Sequence, residues 1–332
     1  MFLRQFEYLS ALARERHFGR AAAACHVSQP ALSTAIRKLE LELGLTLVRR
    51  GHRYDDLTPD GHELLRWAQA ALTAVEGLTS EASRLRHELT GTLRLGAIPT
   101  SMPAVPLVVG PFARRHPGVR VEIRTLPSDE LSRRLARHEL DAGLDYLDDA
   151  PLAGVEATPL YRERLMLLSS DPALDAPPGK PLEWRALAGL PLCLLMPEMR
   201  NRQIVDAALR EAGVDSPPRI EADSISALLA LADAGWSCVI AHTWFAGSRR
   251  GSARGRPRVH PLRKPAVTPT VGLVTPAELP PPPVRELRAM LAGGDLQAQL
   301  DAIVDDVAPR ARNARAVAAG EAPITAVNEL AR

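Results

Sequence analysis

Between Ser28 and Arg37 the chain carries side chains that can read the edge of a nucleic-acid base. Gln29, Ser33, Thr34 and Arg37 share one face of a helical stretch, while Leu32, Ile36, Leu39 and Leu43 recur at steps of four, three and four on the other. A glutamine amide can bond an adenine edge in two places, and serine bonds either purine. Arginine pairs with guanine or with phosphate, and the threonine methyl suits a thymine methyl. Ser28 is a natural N-cap for this stretch, and Pro30 fits its first turn. Two further arginines, Arg50 and Arg53, flank Gly51 in a run of β-formers. A two-stranded wing is predicted there, with these arginines near its tip, where they would meet phosphate or the minor groove.

A second group of residues suits a small anion. Thr100, Ser101, Ser128, Arg200, Asn201, His242 and Thr243 each fall just after a predicted strand. In open α/β sheets, ligands sit beyond the carboxyl ends of the strands. Several of these residues also open helices, whose free N–H groups and dipole favour negative charge. Thr100, Ser101 and Ser128 would add hydroxyl donors, and Arg200 and His242 positive charge. The ligand class this predicts is a small carboxylate or oxyanion. Serine and threonine at helix starts are also ordinary N-caps, so the group carries the expectation better than any one member.

The elements that must position these residues can be read from periodicity. Leu3, Phe6, Leu9, Leu12 and Ala13 make an apolar stripe over residues 2–16, a short Ala-rich helix covers 21–24, and 25–27 read as a tight turn. Helix, three-residue turn and capped helix make a helix-turn-helix. Residues through 58 carry a local net charge of +3. Thr58 and Pro59 then cap and start a long helix. Along it Leu64, Ala68, Ala71, Val75, Leu78, Ala82, Leu85 and Leu89 alternate at steps of four and three, the heptad pattern of a helix that pairs with its own copy.

From residue 91 onward, strands near 93–98, 119–123 and 142–144 alternate with helices, which argues for an α/β unit with a mainly parallel sheet. A second unit is expected from the strand at 165–168, through 192–195, helices at 198–212 and 224–234, and the strand 238–240. The strand 271–274 and a helix from about 283 to 291 return to the first unit. Two such lobes with crossing connections suggest a hinged sensor like a periplasmic binding protein. The predicted fold class is α/β, with an N-terminal all-α winged helix-turn-helix. The expected domains are 1–58 for DNA binding, 59–90 for the linker and dimerisation helix, and 91–300 for effector binding. Lobe I would take about 91–162 and 266–300, and lobe II about 163–265. Residues 246–265, rich in arginine, glycine and proline, read as a mobile loop, with a second DNA contact as the alternative. Residues 301–332 read as a flexible tail.

Composition narrows the function classes. The chain has 332 residues, 46% hydrophobic and 24% charged, which is a globular profile too long for a single core. Cys25, Cys193 and Cys238 are few and far apart, which suits a reducing compartment and offers neither a disulfide framework nor zinc spacing. The charged N-terminus lacks a signal-peptide core, and no apolar run of ~18 residues is present, so a cytoplasmic location away from membranes is expected. No nucleophile elbow, phosphate loop, HExxH or paired catalytic carboxylates stand out, so neither an enzyme nor a cofactor or metal is expected.

From Phe6 to Gly61 the order F-x-x-L…F-x-x-A-A…V-S-Q-P-A-L-S…I-R-K-L-E-x-x-L-G-x-x-L…R…L-T-P-x-G closely resembles the LysR-type transcriptional regulators, and weaker resemblance continues to about residue 275. The resemblance implies a sequence-specific regulator of double-stranded DNA that dimerises through its linker helix and often forms tetramers, with a two-lobed effector domain. It places the positions matching Gln29, Pro30 and Ser33 in the major groove and wing arginines such as Arg50 and Arg53 on DNA. Val48, where the family commonly has Phe, and the acidic Tyr54-Asp55-Asp56 depart from the pattern and bear on how closely the wing enters a groove. A regulator without an effector, and a small-molecule-binding protein or enzyme built on the two-lobed domain, are the alternative readings.

Overall fold

The computed structural model describes residues 1–50, 54–86, 88–148, 154–172, 174, 176–177, 179–245, 257–278 and 280–307. The N-terminal stripe forms α1 (Leu3–Glu15), followed by α2 (Phe18–Ala24) and α3 (Gln29–Leu43). Leu9 and Leu12 of α1, Ala21 and Ala22 of α2, and Leu32, Ile36 and Leu39 of α3 close one core. His17 caps α2, its Nδ1 accepting from the Gly19 and Arg20 N–H groups at 3.0 and 3.3 Å. Ser28 caps α3 by accepting from the Ala31 N–H at 3.3 Å. Between them His26 takes a left-handed φ of 55°, which makes the turn tight.

The wing follows. Strand β1 (Val48–Arg50) pairs antiparallel with β2 (Tyr54–Leu57), with Val48 opposite Leu57 and both buried in the helical core. The Glu40 carboxylate on α3 accepts from the Leu47 and Val48 N–H groups at 2.9 and 3.1 Å, which fixes the wing to α3. Thr58 caps α4 (Pro59–Leu85), accepting from the Gly61 N–H at 2.9 Å. Gly61 is a matter of space: a Cβ there would lie 2.2 Å from the Leu47 carbonyl oxygen.

The first lobe opens with β3 (Gly91–Ala97) and a 3-10 turn over Pro99–Ala104, then α5 (Val105–Arg115), β4 (Val119–Thr125), α6 (Ser128–Ala136), β5 (Ala142–Tyr146) and β6 (Val155–Arg162). The chain crosses to the second lobe for β7 (Leu165–Ser169), β8 (Leu182–Glu183), β9 (Leu192–Leu195), α7 (Arg200–Glu211), β10 (Ile220–Ala222), α8 (Ile225–Asp233), β11 (Ser237–Ala241), a 3-10 turn over His242–Phe245, and β12 (Arg258–Arg263). It returns for β13 (Thr270–Pro276), α9 (Pro282–Ala292) and α10 (Leu296–Val307). The sheet orders are β4-β3-β5-β13-β6 in lobe I and β10-β9-β11-β7-β12-β8 in lobe II. Central strands β5, β7, β9 and β11 are buried along their whole length, as strands covered on both faces must be. Among the described residues no helix is long and apolar enough to cross a membrane.

Three sequence expectations change. The arginine-rich stretch is not all loop: Arg258–Arg263 is a strand paired with β7 and β8, and the Arg258 guanidinium is tied to the Asp171 and Ala176 carbonyls. Residues 246–256 lie outside the described residues. Helix α10 carries ordered structure past residue 300, with Leu296 and Leu300 packed in the lobe I core, whereas 308–332 lie outside the described residues. Leu89 is not on the linker helix, which ends at Leu85; it packs against the core of lobe I.

Candidate nucleic-acid interface and ligand cleft

Helix α3 turns Leu32, Ile36 and Leu39 inward and leaves Gln29, Pro30, Thr34 and Arg37 exposed, with Ser33 half-buried beside them. A capped helix end with short polar side chains, no acidic residue in its first turn and an exposed face has the form of a helix that enters a major groove. The Arg50 side chain and all of Arg53 lie outside the described residues. Next to it, Asp56 accepts from the Leu57 N–H at 2.8 Å, and that bond is the main reason its carboxyl stays below the usual range.

The second group converges only in part. Thr100, Ser128, Arg200 and Asn201 line one narrow cleft between the lobes, together with Ile98, Pro99, Pro127, Tyr146, Leu195 and Met199. Lobe I contributes the 3-10 turn after β3, the start of α6 and the end of β5; lobe II contributes the end of β9 and the start of α7. This is the carboxyl edge of both sheets, as the strand-end argument requires. The Ser128 hydroxyl donates to Asp145 Oδ1 at 2.6 Å, and the Tyr146 N–H donates to the same oxygen at 2.8 Å.

Ser101, His242 and Thr243 do not line the cavity. The Ser101 hydroxyl donates to the Ile98 carbonyl at 3.0 Å inside the turn, and Thr243 Oγ1 donates to the Thr100 carbonyl at 3.1 Å. His242 is fully buried at the lobe crossing, where its Nδ1 accepts from the Arg164 N–H at 3.0 Å. Burial, aided by the Arg164 charge, pushes its pKa down to about 4, so it is a neutral hinge residue and not a cationic contact. Strand ends alone could not separate side chains aimed at the gap from side chains that tie the hinge.

Two residues stand at the centre: Tyr146, which also falls at the end of a predicted strand, and Glu163, which the sequence did not mark. Tyr146 Oη donates to Glu163 Oε2 at 2.7 Å, lies 2.9 Å from Thr100 Oγ1, and accepts from Asn201 Nδ2 at 3.1 Å. It joins lobe I to α7 of lobe II through one oxygen. Glu163 is 0% exposed, and burial pushes its pKa up to about 7. It lies between β6 and β7 where the chain crosses from one lobe to the other, a placement that no local pattern marks.

The linker stripe divides. Ala68 is buried with Leu65 in the helix-turn-helix core, Leu64 packs beside them, and Ala71 is half-buried. Val75, Leu78, Ala82 and Leu85 are exposed, Leu78 at 72%. Each end of the helix is held differently. The far end meets lobe I, where the Ser80 hydroxyl donates to the Thr90 carbonyl at 2.7 Å, Arg94 pairs with Glu76 at 2.9 Å, and Arg285 pairs with Glu81.

Comparison with known proteins agrees with this architecture. Residues 3–62 match the bacterial regulatory helix-turn-helix protein family of lysR type, and residues 86–294 match the LysR substrate binding domain. A probable hydrogen peroxide-inducible genes activator of Mycobacterium xenopi is 40% identical over 52% of this chain and 88% of its own length. The DNA-binding transcriptional dual regulator OxyR of Escherichia coli K12 is 31% identical over 94% of this chain and 100% of its own. A full-length OxyR variant from Pseudomonas aeruginosa superposes with a TM-score of 0.72 at 28% identity, covering 90% of this chain and 97% of that one. The chain belongs to the LysR family: it is a DNA-binding transcription regulator whose helix-turn-helix is joined by a linker helix to a two-lobed effector-binding domain.

Proposed function

We propose that Gln29, Ser33, Thr34 and Arg37 read bases in the major groove, with Pro30 packed beside them, and that a small anion bound reversibly between the lobes adjusts this binding. The observation that carries the second part is the convergence of Thr100, Ser128, Arg200 and Asn201 on one interlobe cavity at the N-termini of α6 and α7. The exposed stretch Val75 to Leu85 of α4 supports pairing of two copies through the linker, which gives a dimer able to read two half-sites. The protein would work in the cytoplasm, beside the DNA it regulates.

The peroxide signal named for the mycobacterial relative would act as an oxidant most readily through an accessible thiol. No cysteine lines the cavity. Cys193 and Cys238 are 0% exposed in the core of lobe II, and Cys25 lies in the helix-turn-helix. Reversible binding is therefore the reading the cavity favours. A thermal-shift screen of the full-length protein against small carboxylates and oxyanions tests it, since a ligand selective for the folded state raises Tm. A hit should also shift DNA affinity and fail in Asn201→Ala. A response to peroxide alone, with no anion active, would overturn it.

A further inference from the structure

Behind the cleft, the hydrogen bonds form a chain whose direction depends on one proton. Glu163 Oε2, Tyr146 Oη and Thr100 Oγ1 follow one another at 2.7 and 2.9 Å, with Asn201 Nδ2 donating to the tyrosine oxygen from the side at 3.1 Å. An ionised carboxylate only accepts, so the single tyrosine proton must then point to Glu163 and Thr100 must donate to Tyr146. A protonated Glu163 instead donates to Tyr146. The tyrosine proton turns to Thr100 Oγ1, and the threonine proton is released toward the cavity that Thr100 lines.

We propose that Glu163 sets the donor polarity of the cleft, so that an acceptor ligand such as a carboxylate or oxyanion binds together with one proton. This rests on the reading of the cavity as the effector site. Geometry supports it independently. Glu163 is fully buried at the crossing between lobes, where its N–H donates to the Pro269 carbonyl of the returning strand at 2.8 Å. Its Oε1 meets no partner at hydrogen-bonding geometry, a loss that weighs far more on a buried carboxylate than on a neutral acid.

The groups acting on its carboxyl are hydroxyls: Tyr146 from β5, Tyr161 from β6 and Thr100 from the 3-10 turn. Around them, Arg164 is paired with Asp301 of α10 at 2.7 Å, His242 is held neutral by burial, and Asp145 is engaged by Ser128 and the Tyr146 N–H. Burial dominates and no cation among the described residues offsets it, so the titration falls near neutrality, at about 7.

Tyrosine Raman bands, whose intensity ratio reports whether a ring hydroxyl donates or accepts, read the reversal in the full-length protein without a ligand. Between pH 5.5 and 8.5 the wild type should change ratio with a midpoint near the Glu163 value of about 7. The change should vanish in Tyr146→Phe, which locates it, and in Glu163→Gln, whose amide donates permanently. Formate, the smallest carboxylate, serves as the binding probe. Its affinity should fall about tenfold per pH unit above the midpoint in the wild type and stay level in both variants. A constant Raman ratio in the wild type, or the same change in Glu163→Gln, overturns the proposal. A Raman change without formate binding at any pH upholds the reversal and overturns the anion reading of the cleft.

Discussion

Serine hydroxyls at helix starts can look alike in sequence and act differently in the fold. Ser128 lines the interlobe cleft, where its one proton goes to Asp145 and must turn to reach a ligand, whereas Ser101 is spent on its own turn away from the cleft. Ser128→Ala should weaken an anionic ligand by roughly 1.5–3 kcal/mol, while Ser101→Ala should lower Tm and leave the ligand-induced shift intact. Calorimetric titration beside melting curves separates the two; equal loss of affinity in both would place the serines together. Glu163 carries a second prediction. Its folded pKa of about 7 lies above the ~4.3 of an unfolded glutamate. A raised acid contributes stability that is complete below the unfolded value and is lost as pH rises through the folded one. Urea melts should therefore show wild-type stability falling relative to Glu163→Gln between pH ~4.3 and about 7, by an amount on the order of 3 kcal/mol, and level above. A difference that rises with pH would contradict the assignment. Tyr146 stands at the end of a predicted strand, within reach of the strand-end argument, whereas Glu163 was not legible as a site residue, because burial at a lobe crossing is a tertiary property with no local signature.

Elements were read more easily than side-chain contacts. Helix α3, its cap and the long helix α4 follow from apolar spacing and from Ser28, Thr58 and Pro59, and the structure has these elements in place. Strands β6 and β12 escaped notice for a physical reason: each contains proline, at Pro159 and Pro261, and charged residues on its open face. The sheets tolerate them because β6 is an edge strand and β12 runs beside the short β8. The heptad stripe was legible as a period but not as a single surface, since one periodic face serves both the helix-turn-helix core and an exposed stretch. Only the exposed part should matter for assembly. Leu78→Arg puts a charge in the proposed seam, at a cost of several kcal/mol once buried. Sedimentation should show smaller particles, and Leu64→Ala should instead destabilise the N-terminal core. Unchanged sedimentation of Leu78→Arg would remove this stretch of α4 from the interface.

At the scale of the whole molecule, α4 is fastened at both ends, with Leu65 and Ala68 in the DNA-binding core and Glu76, Ser80 and Glu81 tied to lobe I. Arg94 is the busiest of these ties. Its backbone N–H donates to Asp141 Oδ2 at 2.7 Å while its guanidinium reaches Glu76. The guanidinium is only 28% exposed and also lies 3.7 Å from the buried Asp141 carboxylate, so Arg94→Ala should lower stability through Asp141 more than through the exposed Glu76. It should leave ligand affinity intact and reduce the effect of ligand on DNA binding; an unaltered response would mean that coupling runs elsewhere. The account as a whole stands on α3 reading sequence. The most direct test is the ratio of full-length affinity for a selected operator over random DNA at fixed salt, measured for wild type and for Gln29→Ala. The ratio should fall by the equivalent of roughly 1–3 kcal/mol, with nonspecific binding unchanged. An unchanged ratio, in a variant that melts like the wild type, would contradict it.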